Sequence, residues 1–200
     1  MSAPPLTPSA GGRCIAFSAL SRADLIVSTT NAAVSRAIRS VSGSVVSHAM
    51  IYSGDGFVIE AVGEGVVRRE LSVAIADATL AVAFRHVRMT NAAAQSVVQF
   101  AANQIGRSYD VTGILGQAGY QLDRWYLCNV RGVRNCDQRA QRNNLWMSNS
   151  GRFFCSELVA EAYRRAGVPL VNGRSDSVSP QRIVEATTTG DLSYVGHLVS

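Results

Sequence analysis

The stretch that most restricts the fold is Ser53-Gly54-Asp55-Gly56, where two alternating apolar runs, 45–52 and 57–62, meet. Gly and Asp tolerate the left-handed backbone of a tight reversal, so the two runs are expected to pair as an antiparallel hairpin. Residues 65–71 extend it into a meander, and 80–87 and 24–28 read as further strands. If Ser53-Gly54-Asp55 forms the loop, Tyr52 faces Gly56, and the register sets His48 directly opposite Glu60. Opposed side chains have β-carbons about 5 Å apart, close enough for a carboxylate to orient an imidazole. A slip of one residue would send Glu60 to the other face.

Helical patterning dominates the second half. Asn91 is expected to cap a helix from about 92 to 105, with Gly106 just past its end. Leu158, Val159, Ala162, Tyr163 and Ala166 fall at helical spacing, and Gly167 followed by Pro169 ends that run. Residues 30–40 also read as helical, as does a short segment led by Pro180, with a final strand near 192–195. Strands first and helices later predict an α+β domain with an antiparallel sheet. At 200 residues the chain fits one such domain, 14–200, preceded by a Pro/Ser/Gly-rich tail, 1–13.

Cys155 falls in or just before the first turn of the helix that carries Leu158 and Ala166. There unpaired N–H groups and the positive end of the dipole favour a thiolate. Alone, that position equally suits a small buried apolar residue. Likewise, His48 and Glu60 taken without Cys155 read as a half-buried histidine and a surface glutamate. Together, a thiol at a helix start, a strand histidine and a carboxylate on the neighbouring strand are a nucleophile, its base and an orienter.

The other titratable residues point elsewhere. Glu157 reads as first-turn capping, His86 as a sheet-face residue and His197 as a solvated tail residue. Cys128 and Cys136 suit either a disulfide or two thiols, and their spacing is not that of a zinc site. No metal, cofactor or nucleic-acid partner is expected. The net charge of +5 comes from arginine alone, since the chain has no lysine, and codon bias accounts for it as readily as an anionic partner does. No apolar run approaches the ~20 residues of a membrane span. No classical signal peptide is expected either, leaving the cytoplasm or a signal-less export route.

Three segments, Ser47-His48-Ala49-Met50-Ile51-Tyr52, Val58-Ile59-Glu60-Ala61 and Phe154-Cys155-Ser156-Glu157-Leu158-Val159, resemble the circularly permuted branch of the NlpC-type papain-like superfamily. This is the YaeF/YiiX-like group of amidases, related to lecithin:retinol acyltransferase-like proteins. Asp24-Leu25-Ile26 and Gly106-Arg107-Ser108-Tyr109-Asp110 resemble further parts of the pattern. The resemblance implies a permuted papain-like fold in which Cys155 is the nucleophile, His48 the base and Glu60 the third polar residue. Tyr109 would then border the site. It further implies an acyl-enzyme and cleavage of an amide bond, in a cell-wall peptide or a γ-glutamyl-type linkage.

The chain departs from that pattern over 115–152, an Arg-rich insertion carrying Trp125, Tyr126 and Trp146. Amphipathic aromatics beside arginine suit a lid or an interface as well as a plain solvated insertion. If they contact lipid, the same acyl-enzyme chemistry would serve a phospholipase or acyltransferase, as in an exported toxin effector. A binding module without catalysis, using the insertion, is the reading from another class.

Overall fold

The computed structural model describes residues 12–30, 45–109, 126–136, 139, 153–171, 175 and 178–198. Seven described strands form one sheet: β1 (Cys14–Ile15), β2 (Leu25–Thr30), β3 (His48–Gly54), β4 (Phe57–Val62), β5 (Gly65–Glu70), β6 (Ala78–His86) and β7 (Leu192–Leu198). Their order across the sheet is β1-β7-β6-β2-β3-β4-β5. Every pairing is antiparallel except β1 with β7, so the sheet is mixed where an antiparallel one was expected. The difference is the short N-terminal strand, which is too brief to carry a period-2 signal. It docks because β7 runs on to Leu198, and Arg13 fastens it through Nε to the Val195 carbonyl at 2.7 Å.

The helices are α1 (Leu71–Ala74), α2 (Asn91–Ala102), α3 (Cys155–Arg165) and α4 (Pro180–Thr189), with a π-helical turn at Tyr126–Val130. Thr90, not Asn91, caps α2, its hydroxyl accepting from Ala93 N–H at 3.1 Å. The helix expected at 30–40 falls almost wholly outside the described residues.

Alternation along the strands feeds two cores. Leu25, Val27, Ala49, Ile51, Ile59, Val82 and Phe84 point to one, which Val97, Leu158, Val159, Tyr163 and Ile183 complete from the helices. Ile26, Met50, Tyr52, Val58, Ala81 and Ala83 point to the other, under Leu20, Leu71 and Ile75. Central strands buried on both faces therefore read as continuous apolar runs, as Ala49 to Tyr52 of β3 do. Two buried polar contacts lock α3 and β6 to the start of β2. Asp24 takes both Arg85 Nε and an Arg85 terminal nitrogen at 2.7 Å, and the Tyr163 hydroxyl donates to the Ala23 carbonyl. His197 lies buried in β7 with its Nδ1 2.5 Å from the Tyr194 hydroxyl, which corrects its reading as a solvated residue.

Candidate active site

The β3–β4 hairpin turns on Asp55 and Gly56, both with positive φ, after a bulge between Tyr52 and Gly54. Tyr52 therefore pairs with Val58, not Gly56. Continuing that register sets Glu60 beside Met50, two residues from the position opposite His48. The expected direct opposition is thus corrected, but a shift of two leaves both side chains on one face. Diagonal neighbours remain within reach of long side chains. His48 Nε2 lies 2.5 Å from Glu60 Oε2, and the Glu60 side chain is 3% exposed.

The third residue arrives from the other half of the chain. His48 is the first residue of β3 and Cys155 the first of α3, and the two interact where these ends meet, the thiol acting on the imidazole's charge. With Nε2 engaged by Glu60, Nδ1 is the ring nitrogen left for the thiol. Cys155 is buried, at 3% exposure, and caps nothing. Its helix is anchored by neighbours: Phe154 N–H donates to Glu157 Oε2 at 3.4 Å, and Ser156 Oγ donates to the Val178 carbonyl at 2.5 Å. Glu157 therefore sits in the capping position expected of it.

Electrostatics favour a charged histidine. Burial alone would lower the His48 pKa, but Cys155 and Glu60 outweigh it and raise it from 6.5 to about 10. A raised histidine pKa stabilises the fold fully below pH 6.5 and loses that contribution as pH rises through about 10. Between pH 7 and 10.5 the urea midpoint of the wild type is expected to fall further than that of His48→Gln. Parallel curves for the two proteins would contradict the assignment.

The remaining expected residues divide. Tyr109 packs half-buried against the main core and bridges Phe153, two residues before Cys155. Tyr126 opens the π-helical turn and is 45% exposed. Trp125 and Trp146 lie outside the described residues. Cys128 and Cys136 form a disulfide, and Cys14 is an exposed free thiol. His86 is buried in β6, its ring centroid 6.2 Å from that of Tyr163, on the sheet as expected. Among the described residues no group of three or more His, Cys, Asp and Glu side chains is gathered as a metal site.

Sequence reasoning missed Arg69. Its Nε lies 2.9 Å from Glu60 Oε1, so the carboxylate is held from both sides. The available signal was the pairing of β4 with β5, which aligns Val58 with Arg69 and Glu60 with Val67.

A buried thiol at a helix start, interacting with a histidine that a carboxylate holds, fits the arrangement of a thiol nucleophile with its base. No family model matches the chain. A curated relative from Escherichia coli (strain K12), described as probable lipoprotein peptidase YaeF, is 29% identical over 192 residues, covering 88% of this chain and 69% of its own. The solved structure of metalloprotein yiiX from Escherichia coli O157:H7 matches with a TM-score of 0.49 at 22% identity, over 72% of this chain. The match spans 65% of that protein's length. The chain is thus an α+β protein similar to a peptidase-named relative in the group that its motifs resemble.

Proposed function

We propose that this protein is a cysteine hydrolase of the permuted papain-like kind, working through Cys155, His48 and Glu60. The observation that carries the reading is His48 held between Glu60 and Cys155. The name of the relative, a peptidase, supports it. His48 takes the Cys155 proton, and the thiolate attacks a carbonyl carbon. The Cys155 N–H at the start of α3 helps to hold the oxyanion, where the dipole favours negative charge. His48 then protonates the departing amine, leaving a thioester on Cys155. The same nitrogen accepts a proton from water, whose attack releases the acid and restores the thiol.

The substrate we assign is an amide in a cell-wall peptide or a γ-glutamyl-type linkage. The Cys128–Cys136 disulfide supports a site of action in an oxidising compartment, because such bonds persist there. A lipid ester is the second reading, favoured by exposed Tyr126 and Val130 beside that disulfide. Incubation with purified sacculi and with anionic liposomes separates the two. Soluble peptide released by wild type but not by Cys155→Ala is expected. Fatty acid released from liposomes, with sacculi untouched, would transfer the reading to lipid chemistry. Equal products from wild type and Cys155→Ala would end both.

A further inference from the structure

We propose that Arg69 is a positioning residue for the site, fixing the Glu60 carboxylate so that one oxygen stays aimed at His48. The inference rests on the proposed Cys155–His48–Glu60 reading and adds a residue to it. Paired strands set the geometry: Glu60 aligns with Val67 and Val58 with Arg69, so Arg69 stands diagonally beside Glu60 on the same face. Its Nε forms an ion pair with Glu60 Oε1 at 2.9 Å while Oε2 meets His48 Nε2 at 2.5 Å. One carboxylate is thereby divided between two partners from the strands on either side. A glutamate side chain has three rotatable bonds, and holding one oxygen restricts where the other can go. Arg69 is itself steadied by Glu64 in the β4–β5 turn, at 3.7 Å from its terminal nitrogen.

Among the described residues, the charged groups around Glu60 are His48 from β3, Arg69 from β5, Glu64 beyond Arg69, and Cys155 through His48. Two roles for Arg69 predict opposite signs. As a positioning residue it secures the Glu60 hydrogen bond that helps keep His48 protonated, so its loss lowers the His48 pKa. As a bare cation it repels the imidazolium, so its loss raises that pKa.

The test is an NMR titration of the imidazole C–H signals, in which His48 is one of three histidines and is assigned with His48→Ala. Wild type, Arg69→Gln and Arg69→Lys are compared, with a thermal melt of each. In wild type the His48 midpoint is expected near 10. In Arg69→Gln it is expected to fall by about one unit, a tenfold change in proton affinity, with Arg69→Lys recovering most of the loss. A midpoint that rises in Arg69→Gln, or does not move, overturns the positioning role. So does a fall that accompanies a collapsed melt and that Arg69→Lys fails to restore. If the wild-type midpoint itself lies near the ordinary 6.5, the underlying three-residue reading fails, whatever Arg69 does.

Discussion

In a Cys14→Ser background, His48→Ala is expected to slow alkylation of Cys155 at pH 6 by about a hundredfold, within the 10²–10⁴ range typical of a positioned proton acceptor. The background removes the exposed thiol, which would otherwise consume the reagent. An ordinary thiol is under about 1% ionised at pH 6, and only the thiolate reacts. Cys155 is buried at 3% exposure, so without a proton acceptor it has neither access nor charge in its favour. His48, held by Glu60 on one side and interacting with Cys155 on the other, would supply that acceptor. Rates measured with iodoacetamide by intact mass would decide the matter. Equal rates with and without His48 would reduce Cys155 to a small buried side chain and remove the basis for an enzyme. Loss of the folded state in His48→Ala would appear in the melt, and His48→Gln then serves as the isosteric check.

The second large effect is expected at Gly65. Its φ is +114°, and a β-carbon there would approach the Arg107 carbonyl oxygen to under 3.0 Å. Val66 exchanges backbone hydrogen bonds with this same loop, donating to the Arg107 carbonyl and accepting from Gly106 N–H, both within 2.9 Å. Ser108 then accepts from Phe153 N–H, and Tyr109 bridges Phe153, two residues from Cys155. The start of β5 is thus linked through one loop to the start of α3. Gly65→Ala is expected to cost about 3 kcal/mol from backbone strain and the displaced loop. For a chain of this size that is a melting temperature lower by about 10 °C. Cys155 alkylation should slow as well, even at temperatures where the variant is folded. A variant as stable and reactive as wild type would show that the loop moves aside without cost.

How far the sequence could be read depended on the range of the interactions involved. The strand at Phe57–Val62 was legible to the residue, because a Gly-Asp-Gly reversal precedes it and its apolar run is bounded. The pairing of His48 with Glu60 was legible as a shared face, but not as a register. The bulge before Gly54 moves the register by two, and a side-chain contact within the turn, the Tyr52 hydroxyl accepting from Gly56 N–H at 3.0 Å, accompanies it. Period-2 alternation survives an even shift, and so the contact was still found. The interaction between Cys155 and His48 joins residues more than a hundred positions apart. No local pattern encodes such a contact; the motif resemblance suggested it. Arg69 was invisible because an arginine in an edge strand ordinarily reads as a solvated charge. Only the β4–β5 alignment shows that it faces a buried carboxylate. His197 failed for a similar reason, since burial in β7 follows from pairing with β6 and β1 rather than from its own neighbours.

The bridge between Tyr109 and Phe153 has a consequence for how this framework can change. Residues 110–152 connect the first of these residues to the second, and the two are already neighbours. Whatever is spliced between them spans no distance, and adding length to a closed loop costs only about 0.6 kcal/mol for each doubling. The position therefore behaves as a socket. Segments of different size and chemistry can be exchanged there, two residues from Cys155, while the sheet and helices keep their places. Diversification among proteins built on this plan is expected to concentrate at that socket, where a new specificity element needs no rearrangement of the body that carries the thiol.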